Sequence, residues 1–346
     1  MSGREAYRQA GVDVAAGEAA VDRIRPWAER TFTPAVLGTL GGFAGAFRLD
    51  PGAMREPVLL AGCDGVGTKL AVAEATSDFS GIGQDLVAMC VNDVAAAGGR
   101  PLFFLDYIAA GRIDPSRVEE VVAGMATALE SVGAALLGGE MAEMPGFYPP
   151  GRMDLAGFAV GLCERDELLG PERVREGDLL VGLASSGPHA NGFALVRSLV
   201  ERRGLRWDDE VAGVGPLGAA LLRPTRLYVR ALQAMAAAQG LHAAAHITGG
   251  GWQGNVARIV PGGLCARVER AGWPVPALFD ALADWGGLGA DEMLATFNMG
   301  IGLVAAIDPV RLEAQRRALG ALGEELYVVG RVAAGPGGVV FTSEGA

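Results

Sequence analysis

The chain has 346 residues, half of them apolar and a fifth charged, enough to bury substantial cores without disulfides or metals and long enough that two domains are the natural expectation. A formal net charge of −11 disfavours nucleic acid and anionic membrane surfaces as partners, since both repel a broadly acidic protein. Cys63, Cys90, Cys163 and Cys265 form no CxxC pair, the N-terminus leads into no apolar signal region, and no uncharged run approaches the roughly 18 residues of a membrane span, all consistent with a cytoplasmic protein.

In chain order, a short helix is expected around Gly17 to Arg30, followed by a stretch from Leu37 to Gly45 so rich in glycine that it reads as a flap. Pro57 to Gly62 reads as a strand, Ile82 to Ala97 as a helix stopped by Gly98-Gly99, and Leu102 to Ala110 as the next strand. Asp114-Pro115 is a cap followed by a first-turn proline and opens a helix from Ser116 to about Val132. Strands are expected at Leu136 to Glu140 and Asp154 to Cys163, with a charged linker from Glu164 to Gly177. The second half repeats this grammar: strand Asp178 to Ala184, turn Ser185 to Gly192, helix Phe193 to Arg203, a helix after Pro224, a glycine-rich turn His246 to Gly251, and a helix Trp252 to Val260. A strand near Leu264 to Val268, a helix near Val275 to Trp285 and late strands at Phe297 to Ile307, Glu325 to Val332 and Gly338 to Thr342 complete it. The expected organisation is α+β throughout: an extension with its flap over 1–55, a first domain over 56–165 and a second over 175–346.

Lys69 is the only lysine in a chain that otherwise uses arginine, and it ends the run Asp64-Gly65-Val66-Gly67-Thr68-Lys69. Lysine is a compact point charge where arginine is a planar fork, so the placement reads as a phosphate-directed ammonium on a glycine-rich turn, with a chance surface lysine as the plainer alternative. The run lacks the spacing of a Walker A loop. Asp93 sits in the apolar stretch Val87 to Ala97, where Asp85 and Asn92 share a stripe and Asp93 lies about 80° round from it. With Asp64 and Glu140, each beside glycine, it forms a set of acids suited to Mg²⁺ and a nucleoside triphosphate; pairing with arginine or solvent is the alternative. Ser185 to Gly192, with Ser186, His189 and Asn191, and Thr248-Gly249-Gly250-Gly251, with His246 before it and Arg258 after, are two turns suited to anions or simply to packing.

These stretches together resemble the phosphoribosylformylglycinamidine cyclo-ligases, or aminoimidazole ribonucleotide synthetases, of the PurM-like ATP-binding superfamily. The match runs through Tyr7 to Gly17, Gly41-Gly42-Phe43, Asp64 to Lys69, Asp85 to Asp93, Pro101 to Tyr107, Glu140 to Gly146, Ser185 to Gly192, His246 to Gly251 and Thr296 to Gly300. The resemblance implies an ATP- and Mg²⁺-dependent ring closure on a small ribonucleotide, formylglycinamidine ribonucleotide, and a homodimer whose paired N-terminal domains form a central β-barrel. It implies that Asp64, Asp93 and Glu140 hold Mg²⁺ and triphosphate, with Gly65, Gly67 and Thr68 lining the same nucleotide site and Lys69 neutralising phosphate. Gly41, Gly42 and Phe43 would close over the nucleotide, Ser186, His189 and Asn191 would meet the reacting region, and Thr248 to Gly251 the ribose phosphate. Cys63, Met141 and Ala190 stand where the family commonly has hydroxyl residues; each departure removes a hydroxyl and none removes a charge. A catalytically silent nucleotide-binding paralogue, or a sister ATP-dependent enzyme such as thiamine-monophosphate kinase or selenophosphate synthetase, is the competing expectation.

Overall fold

The computed structural model describes residues 3–50, 52 and 54–342. Two compact units emerge: the first runs to Val94 and resumes over Pro101–Glu164, and the second comprises Ala95–Arg100 and the chain from Arg165 onward.

In the first unit, helix α1 (Val14–Arg30) begins where the Asp13 carboxylate accepts from the amides of Ala15 and Ala16. It packs on α3 (Pro115–Val132), itself capped by Asp114, opened by Pro115 and closed by Gly133 at φ 72°. Helix α2 (Ile82–Ala96) crosses α3 so closely that a Cβ on Gly83 would stand 2.0 Å from the Val121 carbonyl, so only glycine fits there. Asp85 and Asn92, one stripe of α2, are fully buried, whereas Asp93 is exposed. The sheet contains β1 (Pro57–Gly65), β2 (Arg100–Ala110), β3 (Ala135–Glu143) and β4 (Met153–Glu164) in the order β1-β4-β2-β3. Strands β1 and β4 are antiparallel, and β2 and β3 are parallel, joined through α3 as a parallel pair requires. Before β1, Val36–Leu37 pairs with Ala46–Phe47, and the glycine-rich flap spans the interval.

The second unit is built on a six-stranded sheet. Its strands are β5 (Leu179–Ala184), β6 (Leu241–His246), β7 (Leu264–Glu269), β8 (Ile301–Ile307), β9 (Leu326–Ala334) and β10 (Val339–Thr342), in the order β6-β8-β5-β9-β7-β10. Strand β8 is buried at every residue, as a central strand covered on both faces must be. Trp252 and Trp273 stack at 4.6 Å in this core, and their indole N–H groups donate to the carbonyls of Asn298 and Met299.

Three expectations change here. The segment Glu164 to Gly177, expected to be a linker, contains two single-turn helices, Arg165–Glu167 and Pro171–Arg173, and buries Val174 in the second core. The strand expected from Phe297 begins only at Ile301, because Phe297 to Gly300 forms a loop tied down by Asn298. Strand β6 was not expected, since its sequence Leu-His-Ala-Ala-Ala-His carries little β propensity; pairing with β8 supplies the strand conformation. Among the described residues no helix is long and apolar enough to cross a membrane.

Candidate active site

Strand β1 delivers Asp64 at its C-terminal end, where its carboxylate accepts from the Gly65 amide at 2.7 Å. Helix α2 packs beneath: a Cβ on Gly62 would meet the Cys90 carbonyl at 3.4 Å and the Asp93 Cβ at 3.9 Å, and the Cys90 thiol lies 3.9 Å from the Asp64 carbonyl. Burial pushes that thiol up to about 12, and Asp64, Cys63 and Asp93 add negative charge around it. Asp64 and Asp93 are therefore neighbours, one half-buried and one exposed, with Gly67 and Thr68 exposed on the turn between their elements.

Glu140 is elsewhere. It stands exposed on β3, with β4 and β2 between it and β1, and strands spaced about 4.8 Å apart put it about 14 Å from Asp64 across the sheet. Among the described residues no group of three potential metal ligands is assembled. Within one chain, then, Asp64 and Asp93 come together and Glu140, the third expected ligand, stands apart, because sheet order rather than chain order sets the distance.

Lys69 also needs correcting. It ends the single-turn helix Gly67–Lys69, and its ammonium lies 2.7 Å from the Asp85 carboxylate, both side chains fully buried. Burial pulls its pKa below the usual lysine range, opposed by the charge and hydrogen bond of Asp85. The ammonium is not displayed on the turn; it fastens the turn to α2. Asp85, which pattern alone gave no role, is its anchor.

The flap meets a cavity of about 770 Å³ bounded by α1, β2 and β3. Gly41, Gly42 and Phe43 line it, and the Phe43 ring is fully exposed. Arg25 on α1 ties the flap by donating to the Leu40 carbonyl at 2.6 Å. Inside the cavity lies Asp106, a residue within the family-like stretch Pro101 to Tyr107 that sequence reasoning passed over.

In the second unit the two anion-suited turns come together: a Cβ on Gly249 would meet the Asn191 Oδ1 at 3.5 Å. Asn255 on α4 (Gly251–Val256), the helix following the Thr248 turn, donates to the carbonyls of Thr248, Gly249 and Gly251 at 3.3, 3.3 and 2.8 Å. Because a trans peptide sets its N–H opposite its C=O, two inward carbonyls turn the amides of Gly249 and Gly250 outward. Gly251 serves packing instead: it is buried, and a Cβ there would stand 2.2 Å from the Leu294 carbonyl. Asn298 joins the other loop, donating to the Gly187 carbonyl and accepting from the Ser185 hydroxyl.

His189 is fully buried at φ 61°, within 6.2 Å of the Tyr228 ring and 6.5 Å of the His246 ring, and its Nε2 accepts from the Ser186 amide. The Ser186 hydroxyl donates to the Pro224 carbonyl. His189, expected to meet the substrate, shapes the loop from inside, whereas Ser186 and Asn191 are half-buried at its edge.

Residues 45–163 match the family described as AIR synthase related protein, N-terminal domain, and residues 175–343 match its C-terminal domain counterpart. The chain belongs to the AIR synthase related family. It is 49% identical over 336 residues to the phosphoribosylformylglycinamidine cyclo-ligase of Thermosynechococcus vestitus, covering 96% of this chain and 98% of that one. It is 47% identical to the same enzyme of Desulfitobacterium hafniense, covering 97% and 98%. Among solved structures it is similar to the thiamine-monophosphate kinase of Stenotrophomonas maltophilia, with a TM-score of 0.69 at 22% identity, covering 95% of this chain and 97% of that one. It is also similar to hydrogenase maturation protein HypE in complex with ATP, with a TM-score of 0.66 at 21% identity, covering 92% and 89%. At that identity the likeness shows the shared two-domain mixed α/β fold of PurM-like proteins.

Proposed function

We infer that this protein is an ATP-dependent cyclo-ligase that closes formylglycinamidine ribonucleotide to 5-aminoimidazole ribonucleotide, releasing ADP and phosphate, in purine biosynthesis. The observation that carries the reading is near-half identity to cyclo-ligases over almost the whole of both chains. In the reaction, the substrate's formamide oxygen takes the γ-phosphoryl group of ATP. An amidine nitrogen then attacks the same carbon, the new C–N bond closes the imidazole, phosphate leaves with the former amide oxygen, and a proton is lost. Such chemistry asks for alignment and charge neutralisation rather than a protein nucleophile.

Asp64 and Asp93 are adjacent oxygen donors of the kind Mg²⁺ takes, and they would hold it by the triphosphate, where the ion supplies charge neutralisation. The nucleotide's other end belongs under the flap, with Gly41, Gly42 and Phe43 closing over it. The outward amides of Gly249 and Gly250 suit the ribose phosphate, and Asn191 beside them suits the reacting end.

The first unit's sheet also supports a homodimer. Leu59, Ala61 and Cys63 alternate outward on β1, Phe158 lies opposite Cys63 on β4, and Leu59 and Phe158 are 58% and 41% exposed. A large uncovered apolar face of this kind marks an association surface. Two such sheets would form the central barrel, and pairing is a route by which Glu140 of one chain reaches the acids of the other.

The test is direct: purified protein, formylglycinamidine ribonucleotide, ATP and Mg²⁺, with ADP and aminoimidazole both measured. Equal yields of the two are expected. ATP binding without aminoimidazole would sink the cyclo-ligase reading.

A further inference from the structure

The cavity under the flap holds a carboxyl group that the ring closure itself does not call for. Its walls are apolar, with Val21 and Ile24 from α1, Phe47, and Phe103 and Leu105 from β2 among them. Among the described residues no arginine, lysine or histidine lines it. A triphosphate therefore finds no counter-charge inside. Glu140 stands at the exposed rim, but Asp106 is set within.

The chain makes room for that carboxyl. Asp106 is paired across the parallel ladder with Gly139, where a Cβ would stand 2.2 Å from the Asp106 Oδ1 and 2.8 Å from its carbonyl oxygen. A side chain on β3 at this position would evict the carboxyl from its place over the strand. Burial pushes Asp106 up to about 7, countered by a hydrogen bond from its own backbone N–H, and among the described residues no cation pairs with it. A polar group kept in an apolar recess without a protein cation is costly unless a ligand completes it.

The ligand that fits is flat, apolar on both faces and armed with N–H donors on one edge. Of the reactants in the proposed function, on which this inference rests, the base of the nucleoside triphosphate has that chemistry. We propose that Asp106 reads the 6-amino edge of the purine base, and so makes the site select 6-amino over 6-oxo purine nucleotides. Ionised, the carboxylate accepts from the exocyclic amine; protonated, its carbonyl still accepts while its hydroxyl can donate to the adjacent ring nitrogen. A 6-oxo group in that same place sets lone pair against lone pair while the carboxyl is ionised, whereas the protonated carboxyl can donate to a 6-oxo oxygen as well, so the selection belongs to the ionised form. Specificity of this kind follows from a buried polar group left unmatched by the wrong base.

Affinities of ATP and ITP, measured well above the Asp106 pKa of about 7 by equilibrium displacement of a fluorescent ATP analogue from the full-length protein without ribonucleotide substrate, test it. The wild type should favour ATP by about tenfold or more. Asp106→Asn is nearly isosteric and keeps its place over Gly139; its amide can donate to a 6-oxo group, so the preference should fall to about threefold or less. Asp106→Ala should weaken ATP about tenfold and leave ITP within about twofold. An ATP-to-ITP ratio unchanged in Asp106→Asn overturns the proposal, even if the protein makes aminoimidazole. The expected ratios in a protein that makes none would sink the proposed function and leave the assignment of Asp106 standing, whereas no purine nucleotide binding at all overturns both.

Discussion

Lys69→Met removes the ammonium from a slot in which both it and Asp85 are fully buried. The methionine keeps most of the stem volume, so the loss is electrostatic: the Asp85 carboxylate is left in the interior without its cation. Removing one member of a buried pair costs about 3–5 kcal/mol, chiefly the desolvation of the survivor. Lys69→Arg fails for a different reason. A guanidinium is wider and brings five donors where the slot was built around a point charge, and overpacking of this kind costs about 1–3 kcal/mol. Lys69→Met combined with Asp85→Leu removes both charges and should recover most of the single-variant loss, giving a coupling of about 3 kcal/mol. Urea unfolding followed by circular dichroism and tryptophan fluorescence reads these differences as midpoint shifts. A Lys69→Met loss under about 1 kcal/mol, or additive single variants, would refute the buried-pair account. A Lys69→Arg protein with unchanged midpoint would show that the solitary lysine reflects composition and not the slot.

Other consequences are as concrete. Asp93 is exposed, so Asp93→Asn should leave stability within about 0.5 kcal/mol while lowering turnover about a hundredfold, and near-normal turnover would remove it from the metal site. Asn255→Ala strips three carbonyls of their donor and should cost about 2–3 kcal/mol of stability; the Michaelis constant for the ribonucleotide should rise more than that for ATP, and an equal rise in both would count against the outward amides as a phosphate site. Leu59→Arg with Phe158→Glu, on the uncovered sheet face, should give a monomer in analytical ultracentrifugation, and a stable dimer would place the interface elsewhere. Asp106 has a folded pKa of about 7 against an ordinary 3.8, so the folded state binds the extra proton between those values. Its ionisation penalty is absent below about pH 4 and complete above about 7; wild-type stability should therefore fall relative to Asp106→Asn as pH rises through that window, and parallel profiles would mean the carboxyl is well solvated.

Local pattern settled much of this molecule. Asp114-Pro115 and Gly133 bound α3 because a cap, a fixed φ and a left-handed terminus act within a turn of where they stand. The seven-residue spacing of Asp85 and Asn92 placed both on one inward stripe of α2, since helical periodicity depends on sequence alone. The ordered family-like stretches, from the Asp64 run to the Thr248 turn, were enough for the chain's chemistry to be legible.

What the sequence could not convey is which distant groups meet. Lys69 finds Asp85 only when α2 docks under β1, which turned an apparent phosphate ligand into an interior anchor. Glu140 is kept from Asp64 by two strands that enter the sheet between them, an order invisible in the linear chain. His189 looked available in its turn and is enclosed once Tyr228 and His246 pack around it. Asp106 became a candidate only when β3 laid Gly139 beside it. Helix caps and periodicity are short-range and so are written in neighbouring residues; ion pairs, burial and cavities depend on long-range packing, which the whole fold decides.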